Sequence, residues 1–113
     1  MITKALIAAS SRPIILSISK AVRESYGYQI IQRVKTVSGG KLQWSDGMLY
    51  PVLHRLEKEG LIISQWKLSD NGRHRKYYLL TEAGDAAMNQ EKIQWLNVHE
   101  TLTSLWKQLP AVT

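Results

Sequence analysis

Cations gather at two places in this sequence. His54, Arg55 and Lys58 recur at helical spacing beside Tyr50 and Pro51, and Arg73, His74, Arg75 and Lys76 form an unbroken run. Guanidinium and ammonium groups at this density suit phosphate oxygens, and an arginine fork also suits the acceptor edge of guanine. Catalytic chemistry is poorly provided for. His54, His74 and His99 fall on three separate segments without metal-ligand spacing, and cysteine is absent. No GxSxG, phosphate-cradling glycine loop or paired carboxylate cluster occurs. The sequence therefore reads as a binding protein and not an enzyme, with neither metal nor other cofactor expected.

Composition bounds the partner. The 113 residues suit one domain with a modest core, short enough that an added helix needs a partner to bury it. Lys and Arg total 15 against 9 Asp and Glu, giving a net charge of +6, which favours a phosphate backbone or an anionic membrane surface. The excess is local: residues 1–80 carry 13 Lys/Arg against 5 Asp/Glu, and residues 81–113 carry 2 against 4. No apolar run approaches the roughly 18 residues of a membrane span, and the opening segment is too weakly apolar for a secretory signal. A cytoplasmic protein without a membrane partner is expected.

The elements that must position the cations follow from periodicity and punctuation. Ile2 to Ala9 suits a short helix of its own, closed off by Ser11, Arg12 and Pro13, with Ser11 or Arg12 as cap and Pro13 as first residue of the next helix. That helix carries Ile14, Ile15, Ile18, Ala21 and Val22 on one face. A second begins near Gly27 with Ile30, Ile31, Val34 and Val37, and Gly39-Gly40 stops it. Ser45 and Asp46 open a third, whose stripe is Leu49, Val52, Leu53 and Leu56 and which ends at Gly60; Pro51 should bend or tighten its start. Leu61 to Leu68 and Arg73 to Leu80 then read as strands joined at Asn71-Gly72, a type I′ turn signal. Thr81-Glu82 opens a final helix of about 25 residues, reaching about Leu109.

The order is that of a mainly α protein with a small two-stranded β-wing: a winged helix-turn-helix with a long C-terminal dimerisation helix. Residues 1–80 form the expected DNA-binding domain, short N-terminal helix included, and 81–113 the dimerisation helix of the same compact unit. In this plan the third helix enters the major groove and the wing rests on the adjacent backbone or minor groove. Removing the core stripe leaves Met48, Tyr50, Pro51, His54, Arg55 and Lys58 as the face for DNA, with Gly47 where backbone approaches closely. By itself that face also fits a solvated helix surface, and a cationic hairpin edge also fits protection against strand pairing. Together, helix and wing favour double-stranded DNA. Strand alternation places Arg73 and Arg75 on one face and His74 and Lys76 on the other. Of Tyr77 and Tyr78 one faces the core, and Trp44 and Trp66 are expected to pack in the core or at a hinge.

Along the last helix Met88, Trp95, Val98, Leu102, Leu105 and Leu109 follow spacings of seven, three, four, three and four, a heptad seam with Glu91 as its gap. Ile93, Leu96 and Trp106 widen the apolar face. A homodimer is expected, placing two third helices about one DNA turn apart on a pseudo-palindromic operator.

Tyr26-Gly27-Tyr28, Gly39-Gly40, the run from Gly47 to Glu57, Gly60-Leu61-Ile62 and the run from Arg75 to Gly84 together resemble the PadR family of bacterial transcriptional regulators, from about Leu16 to Trp106. The resemblance implies a homodimeric repressor that contacts DNA through the third helix and wing. Met48 stands where the family usually has a small residue such as Thr, which leaves base preference open, and the Ile2 to Ala9 segment is not universal. Some members bind planar aromatic effectors between subunits. That makes Trp95, mid-seam, the candidate effector contact, with a plain interface anchor as the alternative. The rival functional class is a protein-interaction adaptor on the same fold that does not bind DNA, against which Arg73, Arg75 and Lys76 argue.

Overall fold

The computed structural model describes residues 2–110; residues 111–113 of the expected C-terminal segment lie outside them. The order is α1 (Lys4–Ala21), α2 (Gly27–Val37), α3 (Asp46–Lys58), β1 (Ile62–Leu68), β2 (His74–Leu80) and α4 (Glu82–Gln108). The two strands pair antiparallel, from Ile62 opposite Leu80 to Leu68 opposite His74. This is the mainly helical, winged arrangement that the sequence predicts.

The first helix departs from expectation. Ile2 to Ala9 does not form a helix of its own: α1 runs unbroken through Pro13, and its cap is Thr3, whose Oγ1 accepts from the Leu6 amide at 3.3 Å. Proline inside a helix removes one backbone bond and costs about 3 kcal/mol. Several contacts compensate along the helix. Ile7 and Ile14 pack against the core on either side of Pro13, and Ser11, the expected cap, is buried with its hydroxyl donating to the Ala8 carbonyl at 2.8 Å. Arg12 reaches Glu59 at the end of α3 (2.6 Å) and Glu91 of α4 (2.9 Å). The same contact explains Glu91 as the gap in the heptad seam, since its carboxylate turns inward to α1.

Ile15, Leu16, Ile30, Leu49, Leu53, Leu56 and Ile62 are fully buried and join three helices to the root of the wing. Trp44 lies in this core, as expected. Trp66 does not: its side chain is 68% exposed on β1, because the strand has run past the edge of the helices by that point. The turn also differs. Gly72 alone is left-handed (φ 81°), its amide donates to the Ser69 carbonyl at 3.0 Å, and the Ser69 amide donates to the Arg73 carbonyl at 2.7 Å. That is a three-residue loop with glycine at the bulge in place of type I′, so Asn71 needs no positive φ; its Oδ1 accepts from the Arg73 amide at 3.3 Å.

Tyr78 is the inward member of the tyrosine pair. Burial, with the Tyr50 phenol and Glu57 adding, pushes its phenol up to about 12. The unfolded chain releases this proton near the ordinary value of about 10 while the folded chain holds it. Its contribution to stability is therefore complete below pH ~10 and is lost as pH rises through ~12. Chemical denaturation across that window should find Tyr78→Phe losing less stability with rising pH than the wild type. Parallel losses would contradict the assignment.

Candidate nucleic-acid interface

Ser45 fixes the start of α3: its Oγ and its carbonyl both accept from the Met48 amide, at 3.3 and 3.2 Å, and the carbonyl also accepts from the Leu49 amide at 3.0 Å. With Leu49, Leu53 and Leu56 turned inward, the opposite face carries Tyr50, Pro51, His54, Arg55 and Lys58, all exposed and lining one shallow open hollow. Met48 is set apart from this group. It is half-buried against the core, so its side chain is taken up by packing. Among the described residues neither Arg55 nor Lys58 has an acidic partner within ion-pair distance.

The hydroxyl end of Tyr50 lies over the first turn of α2. A Cβ at Gly27 would stand 2.4 Å from its Oη, so glycine lets the ring lie close to that helix. Sequence reading treats Gly27 only as a helix boundary.

The wing divides its cations. Arg75 and Lys76 point to opposite faces, as alternation requires, and Arg73 lies just before β2, its carbonyl accepting from the Ser69 amide at 2.7 Å. Arg73 and His74 are exposed, and the other two are engaged within the fold. The Arg75 guanidinium sits 4.2 Å from the centre of the Tyr26 ring, which also receives Tyr77 edge-on at 5.5 Å. On this face Lys67 pairs with Glu24. On the other face Lys76 lies 3.7 Å from Glu57 of α3, whose second oxygen accepts from the Ser64 hydroxyl. Glu24, Tyr26 and Glu57 carry no local signal of these contacts, because their partners are distant in sequence.

A basic, exposed helix face beside a braced hairpin belongs to a known group. Residues 15–90 match the transcriptional regulator PadR-like family. The chain belongs to this family. Its members are transcriptional regulators, not enzymes. A PadR-like transcriptional regulator from Bacillus cereus superimposes with a TM-score of 0.82 at 29% identity, covering 94% of this chain and 100% of that one. A transcriptional regulator from Clostridium thermocellum does so with 0.81 at 26%, covering 92% and 97%. Over 48 residues the chain is 48% identical to the transcriptional regulator Rv3488 of Mycobacterium tuberculosis, a stretch covering 42% of this chain and 44% of that protein.

In this PadR-like protein α4 outruns its own domain. Gly84 and Met88 are its buried residues, and Met88 packs within the domain's core; its place in the seam is thus filled from its own chain. Trp95, Val98, Leu102, Leu105 and Leu109 remain exposed, with Ile93, Leu96 and Trp106 beside them. An apolar groove of about 530 Å³ runs between α1, α2 and α4, walled by Pro13, Ile14, Ile18, Val37, Trp95 and Leu96, with His99 at its lining. No helix among the described residues is long and apolar enough to cross a membrane, and no group of three or more His, Asp or Glu among them is placed to hold a metal.

Proposed function

We propose that this PadR-like regulator is a homodimer that binds a pseudo-palindromic operator in double-stranded DNA and represses transcription in the cytoplasm. The observation that carries the reading is the exposed face of Tyr50, Pro51, His54, Arg55 and Lys58 on α3, next to a wing that offers Arg73 and His74. Cations on a surface without internal partners are free to replace the counterions of a phosphate backbone. Residues 1–80 act as the DNA-binding unit and 81–113 as the dimerisation helix.

Support for the dimer is the unpartnered row of Trp95, Val98, Leu102, Leu105 and Leu109, too contiguous an apolar stripe for a monomer's surface. Sedimentation equilibrium is expected to give about 26 kDa, twice the 12.9 kDa chain, and Leu102→Asp should shift it toward monomer. A wild-type monomer at micromolar concentration would sink this part of the reading. Selection from a random duplex pool should recover half-sites with centres about one helical turn apart. Recovery of no shared sequence would count against sequence-specific binding.

Trp95, which walls the apolar groove and is 41% exposed, is the contact proposed for a small planar aromatic effector. Such a ligand relieves repression only by preferring a conformation whose half-site spacing is wrong for the operator. Flat aromatic compounds should quench Trp fluorescence and release DNA, and Trp95→Leu should lose both responses.

A further inference from the structure

Glu57 is out of place on a helix that meets phosphate. It is flanked by the exposed face of Arg55 and Lys58, and a carboxylate there repels a polyanion unless its charge is occupied elsewhere. Both of its oxygens are occupied by the wing. Oε2 accepts from the Ser64 hydroxyl on β1, and Oε1 faces the Lys76 ammonium on β2 at 3.7 Å. Ser64 stands opposite Tyr78 and Lys76 opposite Trp66, which makes them diagonal neighbours on one face of the ribbon. One carboxylate therefore holds both strands against the recognition helix.

The connection it spans is short. Only Glu59, Gly60 and Leu61 separate α3 from β1, and Gly60 is left-handed at φ 78°. It is held at the root of the wing, where the Leu61 amide donates to the Leu56 carbonyl and the Thr81 amide to the Leu61 carbonyl, each at 3.0 Å. The contacts of Glu57 therefore act farther out along the ribbon. The opposite face of the ribbon is held by Arg75 and Tyr77 on Tyr26. Contacts on both faces fix the angle of the wing to α3, and that angle decides whether Arg73 and His74 reach the backbone while Arg55 and Lys58 lie in the groove.

We infer that Glu57 is a positioning residue for DNA binding, a carboxylate that sets the wing on the recognition helix and does not itself touch DNA. The inference rests on the DNA-binding reading above, and it reverses the sign expected from charge alone. Removing a negative charge beside phosphate should tighten binding. Removing a brace makes the complex bear the cost of ordering the wing, so binding weakens.

The test is anisotropy of wild type, Glu57→Ala, Glu57→Lys and the swapped pair Glu57→Lys/Lys76→Glu on a duplex selected by the wild-type protein, with amide hydrogen exchange of each protein free of DNA. Glu57→Ala is expected to bind about tenfold more weakly, the scale of one hydrogen bond to a charged group. The swapped pair, at wild-type net charge, should recover most of what Glu57→Lys loses. Amides of β1 and β2 should exchange faster in Glu57→Ala while those of α1 and α4 keep their rates. Equal or tighter binding by Glu57→Ala, or no recovery in the swapped pair, overturns the inference. So does unchanged exchange in the wing, and so does acceleration throughout α1 and α4, which would make Glu57 a general stabilising residue. A wild-type protein that binds no duplex counts against the proposed function instead, and the exchange rates still decide the role of Glu57.

Discussion

Arg55→Glu/Lys58→Glu is expected to weaken operator binding by on the order of 100-fold or more while leaving the unfolding transition close to that of the wild type. The two side chains are exposed on the outer face of α3 and have no ion-pair partner among the described residues, so their reversal breaks no ion pair. It costs the fold only the favourable placement of cations in the last turn of α3, about 0.3–1 kcal/mol each. Loss of one bidentate guanine contact is worth about 1–3 kcal/mol, and each factor of ten is about 1.4 kcal/mol. Reversal adds repulsion to that loss. The separate variants divide the effect. Arg55→Ala should relax preference at one operator position, whereas Lys58→Ala should lower affinity for every duplex and reduce the salt slope by about one. A double reversal that binds the operator as well as wild type would mean that α3 is not the reading element.

Gly84→Ala should be the most damaging single methyl in the protein. A Cβ at this position would stand 2.0 Å from the Leu61 carbonyl oxygen and 2.6 Å from Leu80 Cδ1. The first is backbone just before β1, where Thr81 also anchors: its amide donates to the Leu61 carbonyl at 3.0 Å and its hydroxyl to the Gly60 carbonyl at 2.7 Å. Neither side can give without moving α4 away from the root of the wing. Overpacking typically costs about 1–3 kcal/mol and sometimes more, and the upper end applies where backbone must shift. In a domain of this size that lowers the melting temperature by roughly 10–20 °C, compared at equal protein concentration because a dimer's transition depends on it. Thermal unfolding followed by circular dichroism checks it. A melting temperature within a few degrees of wild type would show that α4 docks less rigidly than the contact distances require.

Elements whose determinants are local were legible from residue order. Ser45-Asp46, Thr81-Glu82 and Gly39-Gly40 mark ends that the chain uses, and the stripe of Leu49, Leu53 and Leu56 faces the core as its spacing demands. Reading failed where a distant partner decides. Pro13 looks like a helix start because the packing of Ile7 and Ile14 and the reach of Arg12 to Glu59 and Glu91 are invisible to a window of neighbouring residues. Trp66, on the first wing strand, reads as a core or hinge residue, but its register carries it beyond the helices. The alternation of Arg75 and Lys76 was readable. What each face meets was not, since Tyr26 and Glu57 reach the ribbon only through the tertiary fold.

The most direct test of the central claim is fluorescence anisotropy of the purified protein with a duplex carrying the DNA upstream of its own gene and with a scrambled duplex, across several salt concentrations. Tight binding to the first alone is predicted, with the logarithm of affinity falling linearly as the logarithm of salt rises. Equal, steeply salt-dependent binding to both would contradict recognition of that sequence, and no binding to either at low salt would contradict DNA binding itself and favour an adaptor.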